Sequence, residues 1–185
     1  MLLAVLVLVA PSAFAVVRHA EFGFGEAPRY TELYDGEFRD LLDDARAPTM
    51  ATLGDSAVRF SSQPALGGTG YIITLHANGT AEVSWFRGHS RLGWRRTRRI
   101  RFHIEPTEYR SVVAEVDRML ATGIEDARTR SEATDEVIVM CSDGPGYLTE
   151  RIRDNDVIWF RPSCGGVNAE IATFLTSWAF RKFGS

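Results

Sequence analysis

Alternating apolar and polar residues predict β-strands in the middle of the chain. Strands at Tyr71–His76 and Ala81–Phe86 flank an Asn78-Gly79 pair, a strong hairpin signal because both turn residues tolerate positive φ. Strict alternation in Arg99–Ile104 predicts another strand, whose inward-facing side chains are Ile100, Phe102 and Ile104. We therefore expect three consecutive antiparallel strands in this region.

Apolar residues at helical spacing follow these strands. Pro106 opens a helix that ends at Gly123, and its apolar stripe comprises Tyr109, Val112, Val113, Val116, Met119 and Leu120. Further strands are predicted at Glu136–Cys141, Tyr147–Arg153 and Asp156–Phe160. A last helix carries the stripe Ile171, Phe174, Leu175, Trp178 and Ala179. The order is thus βββα twice, although the two halves share no evident residue identity.

The segment before residue 67 has a weaker pattern. An amphipathic helix that ends before Pro48 is predicted by the apolar residues Tyr34, Phe38, Leu41, Leu42 and Ala45, and a short strand is expected at Ala57–Ser61. We predict an α+β fold with an antiparallel sheet of about five to six strands in two βββα-like halves. The main helices should pack on one face, with the N-terminal helix added. Residues 16–66 would form an extension and residues 67–185 the α+β domain.

The first fifteen residues have the pattern of a cleavable signal peptide. Leu2–Ala10 are all apolar, and they are too few to cross a bilayer, which needs about 20 residues. Pro11 follows, and Ser12-Ala13-Phe14-Ala15 resembles an A-x-A cleavage site. No Lys or Arg precedes the apolar run, so a buried strand or a shifted start codon is the alternative. We expect cleavage before Val16 and a periplasmic or secreted protein.

Composition is compatible with one folded domain. Apolar residues make up 45% and aromatic residues 11% of the chain, which is enough for a core. The mature chain of about 170 residues suits a single domain. A net charge of −3 is too near neutral to predict a polyionic partner. After the signal peptide, no apolar run is long enough to predict a transmembrane segment.

The chain has two cysteines, Cys141 and Cys164. An even number of cysteines in an exported protein favours a disulfide bond. Closing this loop would stabilise the fold by roughly 3 kcal/mol in the chain-entropy model. The bond would hold the last helix against the sheet. Two separate buried thiols, or one reactive thiol, are the alternatives.

Seven arginines lie within fifteen residues, interleaved with Trp85, His89 and Trp94: they are Arg87, Arg91, Arg95, Arg96, Arg98, Arg99 and Arg101. Such a stripe can bind phosphate or carboxylate groups, and it is also typical of single-stranded nucleic acid sites. Export argues against nucleic acid and favours an anionic envelope component, such as lipopolysaccharide phosphate, or an acidic protein surface. The candidate binding residues are Trp94, Arg95, Arg96, Arg98, Arg99 and Arg101. A solvated strand face is the alternative, since 20 of the 21 basic residues are Arg.

Catalytic and cofactor motifs are weak. A glycosidase would need two carboxylates across a cleft, and the candidates are Asp135, Glu136, Asp143 and Glu150. A Cys–His nucleophile would pair a thiolate with His76, His89 or His103, and no family signature surrounds either cysteine. The histidine spacing matches no metal site. Gly67-Gly68-Thr69-Gly70 precedes a strand instead of opening a helix, so it is not a phosphate loop, and no cofactor is expected.

The stretch Cys141-Ser142-Asp143-Gly144-Pro145-Gly146-Tyr147, together with Cys164-Gly165-Gly166 and the terminal helix, resembles small uncharacterised exported proteins of Gram-negative bacteria. The resemblance covers Tyr71–Phe183. It implies an α+β fold and an envelope location, and it supplies no functional residues. We therefore expect a non-catalytic binding or interaction module of the cell envelope, and an envelope hydrolase acting on glycan or peptide is the alternative.

Overall fold

The computed structural model describes residues 20–24, 37–64, 67–89, 92–132, 146–154, 156–162 and 167–183. The strands are β1 (Ala20–Phe24), β2 (Val58–Gln63), β3 (Gly68–Leu75), β4 (Thr80–His89), β5 (Gly93–His103), β6 (Gly146–Arg153) and β7 (Asp156–Pro162). The helices are α1 (Glu37–Asp44), α2 (Pro106–Glu132) and α3 (Val167–Phe183), with a 3-10 turn at Met50–Leu53.

The described strands form a single seven-stranded sheet in the order β1-β7-β6-β2-β3-β4-β5. Every neighbouring pair is antiparallel. The central strand β2 lies between β6 and β3, and all six of its residues are buried. The outer edges belong to β1 and β5. The α+β class and the antiparallel sheet predicted from the sequence are therefore confirmed.

The sheet face towards α2 and α3, called here the α2/α3 face, carries the larger core. Its strand residues include Phe60, Ile73 and Val83, and Val116 and Leu175 contribute from the two helices. All six residues of the stripe predicted for the first long helix are buried in this core. The inward-facing side chains of β2, β3 and β4 thus meet the apolar stripes of the two helices, as the sequence pattern predicts.

The opposite face, called here the α1 face, is covered by α1 and by the 3-10 turn. Leu41 and Leu42 of α1 pack on Ile72, Phe86 and Trp94 of the sheet. A neighbouring cluster joins the 3-10 turn to β6 and β7 and consists of Met50, Leu53, Ala57, Ile152 and Val157. The two long helices therefore share one face, and α1 covers the other.

One feature of the fold, the end of the first long helix, differs from the expectations. The prediction that the first long helix ends at Gly123 is wrong, because α2 continues to Glu132. Gly123 is buried within the helix, and one helical glycine costs only about 1 kcal/mol, which packing can offset. The boundary expected between residues 66 and 67 falls between β2 and β3, and strands on both sides of it belong to the same sheet. The predicted strand Glu136–Cys141 lies outside the described residues.

Candidate functional site

The candidate arginines lie on β5, the last strand at one edge of the sheet. Five arginines of this strand are exposed: Arg95, Arg96, Arg98, Arg99 and Arg101. An edge strand has a neighbour on one side only, so its side chains are less covered than those of a central strand. For the same reason Ile100 and Phe102, which the alternation directs to the core, are only half-buried.

Strand alternation divides these arginines between the two faces of the sheet. Trp85 lies opposite Arg98 and Phe86 lies opposite Arg96, with a register shift between them that leaves Thr97 as the extra residue. This bulge places Arg95 and Arg98 on the α2/α3 face and the other three arginines on the α1 face. The stripe in the sequence is therefore two separate clusters in space.

On the α1 face, Glu82 of β4 binds two arginines. Its Oε2 atom lies 2.6 Å from Arg99 Nη2 and 2.7 Å from Arg101 Nε. One carboxylate thus neutralises part of the charge of two guanidinium groups. These two arginines are exposed, but they already have an anionic partner within the protein.

Arg96 is held by α1. Its Nη2 donates to the carbonyl oxygen of Ala45 at 2.8 Å, next to the C-terminal end of that helix. Its guanidinium carbon lies 5.5 Å from the centre of the Phe86 ring, within cation–π distance. Arg96 therefore joins β5 to α1.

Trp94 is a core residue in the structure. Its side chain packs between α1 and the sheet, and the residue is only 6% exposed. Its backbone N–H donates to Asp44 Oδ2 at 2.6 Å. Gly70 also lies next to the indole, and a Cβ there would lie 2.9 Å from the backbone carbonyl oxygen of Ser62, so β2 and β3 approach each other closely at this glycine. Trp94, one of the candidate binding residues, therefore lies in the core beneath α1, and the sequence pattern of this edge strand gave no sign of its burial.

On the α2/α3 face, Arg98 belongs to a stack of side chains. Its guanidinium carbon lies 5.4 Å from the centre of the Trp85 ring. The Trp85 ring in turn lies 6.5 Å from that of Phe180 in α3, and Phe180 is 53% exposed. The stack holds the Arg98 guanidinium in position while leaving its edge open to solvent.

Arg87 of β4 lies directly opposite Arg95 of β5 on this same face. Both residues are exposed. Within the described part of the chain, neither guanidinium takes part in a hydrogen bond, an ion pair or a ring contact. Composition does not show that these two residues are cross-strand neighbours. The signal in the sequence is the pair of strand patterns on either side of residues 90–92, which is typical of a hairpin.

The carboxylate candidate Glu150 has a buried partner. Arg59 lies opposite it on β2 and donates from Nε to Oε2 at 2.5 Å and from Nη2 to Oε1 at 2.6 Å. Arg59 Nη1 also donates to the carbonyl oxygen of Pro48. Since both carboxylate oxygens accept from Arg59, Glu150 is committed to the core. Asp135, Glu136 and Asp143 lie outside the described residues.

The remaining catalytic candidates are the histidines and the two cysteines. Burial lowers the pKa of His76 below its ordinary 6.5, although Glu82 opposes the shift. His103 packs against the turn, with its ring 3.2 Å from where a Gly79 Cβ would lie.

Cys141 and Cys164 lie outside the described residues, as do the signal-peptide residues 1–15. Among the described residues, no group of three metal-ligating side chains is present, and no helix is long and apolar enough to span a membrane.

The chain has no significant match among protein-family models, curated proteins or solved structures.

Proposed function

We propose that this protein is an exported, non-catalytic module of the cell envelope that binds an anionic partner through Arg87, Arg95 and Arg98. The observation that carries the proposal is the position of Arg87 and Arg95, which are exposed and lie directly opposite each other. Among the described residues, neither has a hydrogen-bond or ion-pair partner. Arg98, held on the Trp85 ring, adds a third positive charge on the same face. The site is therefore narrower than the arginine stripe in the sequence.

Electrostatics supports an anionic ligand for this pair. Like charges directly opposite on two strands destabilise the sheet, by roughly 0.2–1 kcal/mol on the scale of cross-strand pairs. A phosphate or carboxylate placed between Arg87 and Arg95 would remove that repulsion, and each guanidinium can donate two parallel hydrogen bonds to it. An anion would stabilise the three arginines on the α1 face less, because Glu82 and the Ala45 carbonyl already accept hydrogen bonds from them.

The alternative of an envelope hydrolase receives no comparable support. A glycosidase acid needs a carboxyl group that faces a cleft and can exchange a proton with its substrate. Glu150 is instead buried, with a side-chain exposure of 2%, and both of its carboxylate oxygens accept hydrogen bonds from Arg59. We therefore keep binding, and not hydrolysis, as the proposed function.

Retention on an anionic matrix tests the proposal. The chain carries a net charge of −3 near pH 7, so salt-sensitive retention there requires a local cationic surface. We expect the double variant Arg87→Gln/Arg95→Gln to elute at clearly lower salt than the wild type. The matched control is Arg110→Gln/Arg118→Gln, which removes the same charge from exposed positions of α2.

The control should elute close to the wild type. Equal loss of retention in both double variants would mean that only net charge matters, and it would overturn the proposed site. Retention of the Arg87→Gln/Arg95→Gln variant at wild-type salt would overturn it as well.

A further inference from the structure

We propose that the hairpin formed by β4 and β5 inserts Leu92 into an anionic lipid surface, with Arg87 and Arg95 bound to the lipid phosphates. This inference rests on the proposed function and narrows its partner to a membrane. The juxtaposition that carries it is an exposed leucine at the end of the hairpin and, just behind it, two arginines that have no partner among the described residues.

Leu92 is the most exposed large apolar side chain in the described part of the chain, with a relative exposure of 89%. Its backbone N–H donates to the carbonyl oxygen of His89 at 3.0 Å, so the chain turns tightly between the strands. Gly93 follows with a φ of 82°, a conformation that suits glycine. The turn therefore leaves the Leu92 side chain exposed.

The spacing along the hairpin matches the layers of a lipid surface. The Arg87–Arg95 pair lies two cross-strand pairs behind His89–Gly93. At about 3.4 Å per residue, this places the arginine backbone roughly 7 Å behind the turn. Interfacial protein segments bury their apolar side chains about 5–10 Å into the boundary between headgroups and acyl chains. When Leu92 reaches that depth, the long arginine side chains lie at the level of the phosphates.

Close contacts hold the two strands together next to the turn, which lowers the entropic cost of binding. Gly88 and Gly93 are paired with Trp94 and His89, and a Cβ on Gly88 would lie 2.2 Å from the Gly93 carbonyl oxygen. The Trp94 N–H is bound to Asp44 of α1. These contacts fix the ends of the two strands against each other and against α1.

A lipid surface accounts for both features, whereas a free phosphate ion accounts for only one. Arg87 and Arg95 can bind phosphate from any source, but a free phosphate ion makes no apolar contact with the exposed side chain of Leu92. Each basic residue near an anionic surface contributes about 1 kcal/mol to binding, and an inserted leucine adds an apolar contribution. Together they give a reversible attachment, weaker than a membrane-spanning helix.

Vesicle co-sedimentation tests the inference. Vesicles of phosphatidylcholine with about 30 mol% phosphatidylglycerol supply the negative surface, and pure phosphatidylcholine vesicles are the neutral comparison. At about 0.1 M salt we expect the wild type to sediment with the anionic vesicles only. We expect Leu92→Ser to lower the partition coefficient about tenfold, while Leu92→Phe, which keeps an apolar side chain, should retain it.

Two matched measurements separate this inference from the proposed function. Leu92→Ser should keep wild-type retention on the anionic matrix, whereas Arg87→Gln/Arg95→Gln should lose both matrix retention and vesicle binding. If Leu92→Ser sediments like the wild type, or if the wild type fails to bind anionic vesicles, membrane insertion is wrong even though the arginine site can still stand. If the arginine variant keeps its matrix retention, the proposed function itself fails.

Discussion

At the residue scale, the core contains an ion pair between two residues 91 positions apart. Arg59 and Glu150 are directly opposite on β2 and β6, with side-chain exposures of 1% and 2%. In the sequence Glu150 has the pattern of a solvated residue near a strand end, because nothing local identifies its partner. Removing two charges from water costs several kcal/mol per ion, so their mutual hydrogen bonds are essential once they are buried.

Glu150→Gln should destabilise the protein by about 3–5 kcal/mol, because it leaves the buried Arg59 charge without an anionic partner and replaces one of its two acceptor oxygens with an amide donor. Urea unfolding measures the loss. Replacing both members with apolar residues, as in Arg59→Met/Glu150→Leu, should cost less than the single change. The control Glu115→Gln breaks the exposed ion pair with Arg118 and should shift stability by less than about 1 kcal/mol. Equal effects at the buried and exposed pairs would contradict the interpretation.

The arginines show the same limit on sequence reasoning at this scale. Their concentration on one strand was predictable, because neighbours in sequence remain neighbours on a strand. The sequence did not predict which of these arginines have a partner. Strand register places Glu82 beside two of them, and the packing of α1 places the Ala45 carbonyl beside a third. Trp94 is the extreme case, since α1 covers a side chain that the sequence pattern left on the surface.

At the element scale, one carboxylate adds polar contacts to the apolar packing of α2 against α3. Glu108 in the first turn of α2 accepts from Trp178 Nε1 at 2.9 Å and from Lys182 Nζ at 2.8 Å, both in α3. The hydrogen bond from Lys182 is the largest cause that holds the pKa of Glu108 below its ordinary 4.5, and the Trp178 bond acts in the same direction. The ionised form of Glu108 therefore favours the folded state.

This pKa shift predicts a pH-dependent contribution to stability. Because the pKa of Glu108 is lower in the folded than in the unfolded protein, its contribution is present above about pH 4.5 and is lost as the pH falls through the folded value. Glu108→Gln should cost about 0.5–1 kcal/mol near neutral pH and markedly less near pH 3. Urea midpoints at the two pH values measure this difference.

Lys182→Gln provides the control for Glu108→Gln. If the two side chains stabilise the helix contact through each other, the double variant should lose measurably less free energy of unfolding than the two single variants lose in sum. Strict additivity near neutral pH, or an equal cost of Glu108→Gln at both pH values, would show that the carboxylate does not act through Lys182.

At the scale of the whole molecule, the two edges of the sheet are different. The β5 edge carries five exposed arginines, and repulsion between like charges disfavours pairing with a second copy through this strand. At the other edge, β1 pairs with all of the residues from Ile158 to Pro162 on β7. If export removes residues 1–15, as we propose, cleavage after Ala15 leaves β1 in the mature chain, and the sheet keeps all seven strands.

Export therefore predicts a specific mature protein. Mass spectrometry of the protein recovered from the periplasmic fraction of a Gram-negative host should find Val16 at the N-terminus, and titration of the unfolded, unreduced protein should find no free thiol. The same chain expressed from Val16 in a reducing cytosol, as the control, should have two titratable thiols. Retention of Met1 in the periplasmic sample would contradict cleavage, and two free thiols there would contradict the Cys141–Cys164 bond.

The sequence by itself determined the class of the fold and the strands and helices that build most of its core. It succeeded there because period-two and period-3.6 apolar patterns are local, and burial simply follows them. Residues Tyr109 to Leu120 and the Asn78-Gly79 hairpin are the clearest cases. It also located the basic strand, since a run of arginines needs no tertiary contact to be recognised.

Only the tertiary structure decided which charges are available. The placement of β2 between β3 and β6, the cover of Trp94 by α1 and the opposition of Arg87 and Arg95 all depend on pairing between distant segments. A local pattern carries no information about register or about which face a neighbouring element covers, because these are set by the packing of the whole sheet. The opposition of Arg87 and Arg95 behind Leu92 follows only from that packing.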